Sequence, residues 1–461
     1  MIFYVCFFLH FARLSFIFLS NHQQQIHLFP ERKMRYSACA LLALACSVVA
    51  WPSLFQPPEK RQASSAISPS AFRRRAYQST AVLNGYAYID GGEFSYETGS
   101  VITYQYSSTL IAIDLSTDWV NSSVTLESIS KPAGVPDLAQ GGLWVDENAG
   151  LLYTGFAGRQ STFGDDAFQP GGLWSFKPDG NGDGTWTNLN STDQGFLTAV
   201  RPYGALIASG GGVGYMLGGL VMNSSSGQSW NSSGLVTFNF TTGQLTNASV
   251  NDGLTNGIDE MGGLIFVPNF GDEGVLIRLG GDQIGKITPG ADDLLNLTTV
   301  SIYDVASGNW YDQTTSGNIP ESRKEFCSAG IASANDTFEI LVYAGWNGNL
   351  GSASVPYDEA YVLSLPAFQW FKASYPAANP RHGLTCVPVG GGQILTVGGL
   401  DTTQNGPDNL YDDVFNTRDP FEQGLAIFDM NQMAFAPSYT ANAPSYTGAS
   451  VVKNYYASKY V

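Results

Sequence analysis

YAYIDGG, residues 86–92, is a short apolar strand that runs directly into a glycine pair, and the pattern returns five more times along the 461 residues. The later copies are LLYTGFAG, VGYMLGG, VLIRLGG, ILVYAG and ILTVGG, which end at Gly158, Gly219, Gly281, Gly345 and Gly399. Successive copies are 54 to 66 residues apart. A period of this kind predicts stacked copies of one β unit, because a single unit cannot bury its own apolar face.

Each unit reads as four strands. In the fourth unit we predict strands over residues 262–268, 274–281, 297–304 and 310–314. The second and third strands of a unit are joined by long loops, whereas the other connections are short and rich in turn residues. The sequence therefore predicts an all-β fold, a six-bladed β-propeller of four-stranded antiparallel blades over residues 72–440. An open solenoid is the alternative, although its repeats are usually shorter.

The composition fits a chain of twisted sheets and limits the partners that it can bind. Glycine is abundant, with 52 residues, and only 13% of the residues are charged. The formal net charge is −17, so no basic face exists to neutralise a phosphate backbone. Nucleic acid is therefore excluded as a partner, and we expect a monomer.

The ends of the chain are predicted to lie outside the propeller. Residues 1–50 are interpreted as a leader with a signal segment, because 37–50 are apolar and small and follow Met34 and Arg35. Since residues 2–19 are also apolar, the alternatives are a start at Met34 and an unusually long leader. Residues 51–71 form a Pro/Ser-rich linker, and the tail, 441–461, is a candidate for closing the ring. We expect the mature chain to lack a transmembrane segment and to be secreted or associated with the cell wall.

Two further features favour export. Eight Asn-x-Ser/Thr sequons are candidate glycosylation sites: Asn121, Asn190, Asn223, Asn231, Asn239, Asn247, Asn296 and Asn335. Only Cys327 and Cys386 follow the leader, and an even count in an exported protein fits one disulfide. Two buried free thiols are the alternative.

The unit resembles the kelch repeat. The likeness rests on the glycine pair after an apolar strand. It also rests on an aromatic residue in the third strand that is followed about seven residues later by a tryptophan, as in Tyr303 and Trp310. It is strengthened by segments 323–327 (RKEFC) and 381–386 (RHGLTC). The chain looks most like exported kelch-repeat proteins of filamentous fungi, whose propellers belong to the galactose-oxidase-like superfamily. The third unit departs from the pattern, because it has no tryptophan in its fourth strand.

The superfamily includes copper radical oxidases, so the resemblance raises the question of catalysis. A copper site of that kind needs two imidazoles, and His382 is the only histidine after the leader. We therefore expect a non-catalytic member of the family, with no cofactor.

The residues that open the units form a candidate ligand-binding set. An arginine opens four units and an aspartate opens two, and long loops on the same face carry aromatic residues. The set comprises Arg75, Asp137, Arg201, Asp259, Arg323, Arg381, Trp346 and Tyr96. Two alternatives are open: ion pairs between neighbouring blades, and catalysis by carboxylates such as Glu260 and Glu325. The predicted function is a binding module for a protein or a cell-wall polysaccharide; the alternatives are a carbohydrate-active enzyme on the same face and a purely structural scaffold.

One further segment resembles a metal loop. Asp179, Asn181 and Asp183 alternate with glycine, like the first half of a calcium-binding loop. The loop's twelfth position is Asn190, where a glutamate is expected. A glycine-rich hairpin turn is the simpler interpretation, with weak calcium binding as the alternative.

Overall fold

The computed structural model describes residues 67–164, 172–189, 201–222, 229–251, 259–283, 294–349, 357–403 and 411–459. The leader and most of the linker therefore lie outside the described residues, as do Asn190 and Asn223. No helix in the described segments is both long and apolar enough to cross a membrane.

Among the described residues, six sheets each contain four antiparallel strands that are hydrogen-bonded in the order in which they follow one another along the chain. Sheet 1 contains Ser79–Leu83, Tyr86–Asp90, Thr109–Asp114 and Glu127–Ser130. Sheet 2 contains Trp144–Asp146, Leu151–Thr154, Trp174–Pro178 and Gly184–Asn188. Sheet 3 contains Leu206–Gly210, Val213–Leu217, Leu235–Asn239 and Leu245–Ala248.

The other three sheets repeat this order. Sheet 4 contains Gly263–Val267, Val275–Leu279, Thr299–Asp304 and Asn309–Thr314. Sheet 5 contains Cys327–Ala332, Phe338–Tyr343, Ala360–Leu365 and Gln369–Lys372, with Ser316–Gly317 added in parallel at its outer edge. Sheet 6 contains Thr385–Gly390, Gln393–Val397, Leu425–Asp429 and Ala434–Ala436. The predicted all-β fold of four-stranded antiparallel sheets is confirmed.

Shorter elements lie in the connections. A three-stranded sheet pairs Phe72–Ala76 and Val101–Tyr106 with Glu93–Thr98. Two-stranded ladders join Leu138–Ala139 to Arg159–Gln160, Leu220–Met222 to Ser229–Asn231, and Asp259–Glu260 to Asp282–Gln283. The helical segments among the described residues are the 3₁₀ turns Tyr411–Phe415 and Glu422–Gly424 and the α-helix Ser450–Lys459.

The apolar core lies between neighbouring sheets, so the inner strands are buried on both faces. The strands Val275–Leu279, Phe338–Tyr343 and Gln393–Val397 are buried at every position. Such strands read as continuous apolar runs, as the sequence showed before each glycine pair. The fourth strand of a sheet is more exposed, and Gly184–Asn188 has no buried residue.

The turns that precede the six first strands are linked in a cycle of backbone hydrogen bonds. One residue of each unit donates its N–H to the carbonyl of the equivalent residue in the preceding unit, with N···O distances of 2.7 to 3.1 Å. The cycle returns to its start, because Tyr77 of the first unit donates to Gly383 of the last at 2.9 Å. We call these residues the inner ring: Tyr77, Gln140, Gly204, Met261, Glu325 and Gly383. All six have φ between 52° and 68°.

The glycine pairs form a second cycle between units. The last glycine of each motif donates its N–H to a carbonyl of the next unit, as Gly92 does to Leu138 at 2.8 Å and Gly399 to Arg75 at 2.7 Å. A Cβ built on Gly91 would lie 2.0 Å from the Leu138 carbonyl oxygen, and one on Gly218 would lie 2.2 Å from that of Asp259. The motif therefore ends a strand and also leaves room for the next unit to approach.

The tail does not supply a strand to sheet 6. Its helix packs on sheet 5 instead, where the Tyr456 hydroxyl accepts the Ala367 N–H at 3.2 Å and Tyr455 contacts Phe371. The first and last units also meet through Trp119 and Tyr439, whose rings stack with centroids 5.1 Å apart. The tail also contacts the first unit, where the Ala441 N–H donates to the Asp118 carboxylate at 2.8 Å. Its ring-closing role stays a prediction.

Candidate ligand-binding site

Six short β-bridges lie beside the inner ring. Each bridge joins the loop after a second strand to the turn before a first strand. In every unit the residue directly after the glycine pair forms a bridge with the residue before the inner-ring residue. The six pairs are Ala76 with Glu93, Ala139 with Arg159, Tyr203 with Leu220, Glu260 with Asp282, Lys324 with Trp346, and His382 with Leu400. We call these twelve residues and the inner ring the mouth. The loops after the second strands and the turns before the first strands therefore share one face, as predicted.

One side of the mouth, from units four to six, carries a cluster of charged and aromatic groups. The Lys324 ammonium lies 2.7 Å from an Asp282 carboxylate oxygen and 6.0 Å from the centre of the Trp346 ring. The imidazole of His382 stacks on Trp346 with centroids 4.7 Å apart, and its Nδ1 lies 2.5 Å from Glu325.

The opposite side is organised by an arginine from unit two. Arg159 contacts both oxygens of the buried Glu93 carboxylate, at 3.0 and 3.2 Å, and donates to Gln140 at 2.8 Å. Its guanidinium also lies 5.6 Å from the centre of the Tyr77 ring. The Tyr77 hydroxyl donates to Glu325 at 3.4 Å and so joins the two sides.

The inner-ring residue Gly383 leaves the space that the Tyr77 ring needs to reach Glu325. A Cβ built on Gly383 would lie 2.8 Å from the Tyr77 ring. The ring of Tyr77 therefore occupies the space that a side chain at 383 would take, which brings its hydroxyl to Glu325.

Two glutamates of the mouth have opposite electrostatic environments. Burial raises the pKa of Glu260 from 4.5 to about 7, and Asp282 and Glu325 add to the effect while Lys324 opposes it. Burial would also raise the pKa of Glu325, but the hydrogen bond and charge of His382, with Lys324 and Arg159, hold it below its usual value. Glu325 is thus a carboxylate at neutral pH, whereas Glu260 is partly protonated.

Three buried polar atoms in this part of the mouth have no hydrogen-bond partner among the described residues. They are Oε2 of Glu260, Nε1 of Trp346 and Nε2 of His382. Buried polar groups are almost always paired, so unpaired ones mark places where a ligand or water completes the set. Together they offer one carboxyl, one indole donor and one imidazole nitrogen.

Two of the arginines predicted to bind ligand, Arg323 and Arg381, are buried and used by the fold. Arg323 and Arg381 are each 1% exposed, and their Nη1 atoms donate to the carbonyls of Ala344 and Gly398 in their own glycine motifs. Arg381 also pairs with Asp419 at 3.1 Å. These side chains hold the end of the second strand in place and do not face the mouth opening.

The predicted ring of equivalent Arg and Asp residues is one residue out of register in two units. The second-cycle hydrogen bonds show that Leu138 and Pro202, not Asp137 and Arg201, are equivalent to Arg75. Asp259 pairs with Arg278 of its own unit at 2.6 Å, and Asp137 lies 3.9 Å from Lys131. The six predicted residues therefore do not form one set of equivalent positions, and the alternative of ion pairs between neighbouring blades stays open.

The loop aromatics mostly pack into the protein. Trp346 is 9% exposed and lies in the mouth, whereas Tyr96 is half-buried and stacks on Phe94 in the three-stranded sheet. Phe94 and Phe415, two further aromatic residues of the long loops, are 5% and 0% exposed. Sequence reasoning missed Tyr77, Glu93 and Arg159, although aligning the units on the residue after each glycine pair would have found the last two.

The remaining predicted sites are not among the residues of the mouth. Cys327 and Cys386 form a disulfide with Cα atoms 5.3 Å apart, and it joins the first strands of sheets 5 and 6. The Asp179 carboxylate accepts the N–H groups of Asn181 and Asp183, as in a hairpin turn. The described residues contain no group of three or more metal-ligating side chains.

Six of the eight sequons fall in the described residues. Asn247, Asn296 and Asn335 are exposed, whereas Asn121, Asn231 and Asn239 are partly buried. The Asn121 side chain donates to the Leu425 carbonyl at 3.0 Å.

Comparison with known proteins finds a kelch-repeat relative of this chain. No family model matches it. It is similar to a kelch repeat-containing protein of Arthroderma benhamiae (strain ATCC MYA-4681 / CBS 112371), with 24% identity over 418 residues covering 81% of this chain. The chain spans 58% of the length of that relative.

A solved structure has a similar fold. The structure of YjhT matches with a TM-score of 0.52 and 14% identity, over 79% of this chain and 97% of that one. The resemblance seen in the repeated glycine pairs is thereby confirmed: the chain is a homologue of a fungal kelch repeat-containing protein.

Proposed function

We propose that this chain is a closed six-bladed kelch propeller that acts outside the cell as a non-enzymatic binding module, with its ligand at the mouth. The ligand is a loop of another protein or a cell-wall polysaccharide. The observation that carries the proposal is the set of three buried, unpartnered polar atoms on Glu260, Trp346 and His382.

The hydrogen-bond cycles support a closed ring of six blades. Each inner-ring residue bonds to the preceding unit, and the sixth unit is joined to the first in the same way as any other pair. An open solenoid would leave two ends without such partners. Ring closure also brings side chains from all six units to one opening.

The groups at the mouth suit a ligand rich in hydroxyl or amide groups. The indole of Trp346 offers a donor, Glu325 offers an ionised acceptor, and Glu260 offers either, because its pKa is raised to about 7. Sugars and peptide backbones present donors and acceptors at matching spacing, and the flat face of an aromatic ring adds apolar contact.

The exposed sequons and the disulfide support export. Asn247, Asn296 and Asn335 are accessible to the glycosylation machinery, and a disulfide between first strands suits an oxidising compartment.

The test is a screen of the purified protein against cell-wall glycans and surface proteins, repeated with Trp346→Phe. The variant keeps an aromatic ring and removes the Nε1 donor, so binding should weaken about tenfold while the protein stays folded. Trp310→Phe is the matched control, because that residue lies on the outer strand of sheet 4. Equal affinities for the two variants, or no ligand in the screen, would contradict a binding role and favour the scaffold interpretation.

The two glutamates support an enzymatic second candidate. A carboxyl that holds its proton near neutral pH beside an ionised carboxylate is the arrangement used by general acid–base pairs in glycoside hydrolysis. A reducing-end assay on each bound glycan separates the two functions. Turnover that is lost in both Glu260→Gln and Glu325→Gln would establish the enzyme, whereas binding without products would exclude it for that glycan.

A further inference from the structure

Arg75 lies in a pocket that is separate from the mouth. Its strand pairs with the hairpin after the first glycine pair, so that Ala76 faces Glu93 and Arg75 faces Phe94. Neighbouring residues of a strand point to opposite sides of the sheet. Glu93 therefore turns toward the mouth, whereas Arg75 and Phe94 turn to the other side, where they line a pocket against sheet 1.

The Arg75 side chain is buried without a partner for its charge. It is 7% exposed, and its Nη1 has no hydrogen-bond partner among the described residues. Its guanidinium lies 5.3 Å from the centre of the Phe94 ring. Burial lowers the pKa of Arg75 to about 10, with no carboxylate offsetting the effect. A buried cation left in this state is costly unless an anion joins it.

The equivalent arginines of two other units show what a structural role at this position requires. Arg323 and Arg381 each donate Nη1 to a carbonyl of their own glycine motif, at 2.9 and 3.0 Å. Each also lies over an aromatic ring, as Arg75 does. Arg75 has the aromatic contact but lacks the carbonyl contact of its Nη1, so its guanidinium is available to the pocket.

The rest of the pocket suits a small carboxylate with an apolar body. Phe72, Phe94 and Ile111 supply apolar walls, and Ser108 and Thr109 supply hydroxyl groups. Among the lining residues that the structure describes, Arg75 is the only charged one. A single cation with hydroxyl donors matches a monoanion, whereas a doubly charged phosphate needs further cations or N–H groups.

From this geometry we infer that the pocket beside Arg75 binds an organic monocarboxylate, with the carboxylate paired to the guanidinium and the apolar body against Phe72 and Phe94. The planar fork of an arginine accepts a carboxylate in two parallel hydrogen bonds. The inference is independent of the ligand proposed for the mouth, because the two sites share no residue.

The experiment measures benzoate binding to the full chain by calorimetry, with benzamide as the neutral isostere and inorganic phosphate as the second anion. Benzoate should bind at least tenfold more tightly than benzamide or phosphate. Arg75→Met should remove this preference, whereas Arg73→Met should keep it, because Arg73 lies in the same strand, pairs with Glu97 and does not line the pocket.

Three outcomes overturn the inference: equal binding of benzoate and benzamide, tighter binding of phosphate, or unchanged benzoate affinity in Arg75→Met. The comparison of the three probes on the native protein needs no variant, so it decides the question even where Arg75→Met does not fold. Where the variant folds, benzoate should raise the unfolding temperature of the native protein and leave that of Arg75→Met unchanged.

Discussion

Replacing Gly91 with alanine tests whether the glycine pair serves the contact between units. Gly91 has φ of 66° and Gly99 has φ of 64°, so alanine meets the same backbone strain at both positions. They differ in their surroundings. A Cβ at 91 would lie 2.0 Å from the Leu138 carbonyl oxygen, whereas a Cβ at 99 has no atom within 4 Å.

The magnitudes follow from this difference. Gly99→Ala should cost about 1 kcal/mol, the strain of a left-handed alanine. Gly91→Ala carries the same strain, and Leu138 must also move away. That movement breaks the bond from Gly92 N–H, worth about 1 kcal/mol, and disturbs packing by about 1–3 kcal/mol. The expected total for Gly91→Ala is about 3–5 kcal/mol.

The assay is chemical denaturation followed by circular dichroism, with the free energy of unfolding compared among the native protein and the two variants. Gly91→Ala should be at least about 2 kcal/mol less stable than Gly99→Ala. Equal losses in the two variants would show that the glycine pair is needed only for its backbone angles, and the argument from close approach would then be refuted.

Two further predictions concern the mouth and the disulfide. Burial raises the pKa of Glu260, so its folding contribution is fully present below about pH 4.5 and is lost as the pH rises through about 7. Glu260→Gln has no such titration and serves as the reference. Relative to this variant, the native protein should lose at most about 3 kcal/mol of unfolding free energy between about pH 5 and pH 8. Parallel pH profiles of the two proteins would contradict the raised pKa. Replacing Cys327 and Cys386 together by alanine should cost about 4 kcal/mol, because the bridge closes a sequence separation of 59 residues. Reductant should destabilise the native protein toward the same value and leave the double variant unchanged, and a native protein insensitive to full reduction would oppose this account.

The strand pattern was predictable because it depends on local properties of each unit. In the fourth unit the predicted strands at 274–281 and 310–314 correspond to Val275–Leu279 and Asn309–Thr314. The third unit forms its fourth strand, Leu245–Ala248, without a tryptophan. Register was less predictable, because connections of different length shift the residue that faces the next unit. Asp137 and Arg201 were therefore aligned one position away from the true equivalents of Arg75.

The composition of the mouth could be predicted only in part. The shared face of the loops and turns follows from four antiparallel strands, and Trp346, Glu260 and Glu325 lie there. The roles of the arginines did not follow, because a buried arginine and a ligand-binding arginine have the same neighbours in sequence. The Nη1 of Arg323 lies within 3 Å of a carbonyl oxygen, whereas the Nη1 of Arg75 has no hydrogen-bond partner among the described residues.

The sequence by itself determined the repeating unit, its four strands and the positions where units must meet. These depend on apolar alternation and on glycine, whose effects act within a few residues. Only the tertiary structure decided which side chains share the mouth and that Tyr77 reaches Glu325 beside Gly383. It also decided that Arg75 has no partner for its charge among the described residues. Hydrogen bonds between units bring together residues that are hundreds of positions apart in sequence, and their mutual distances are set by packing between sheets.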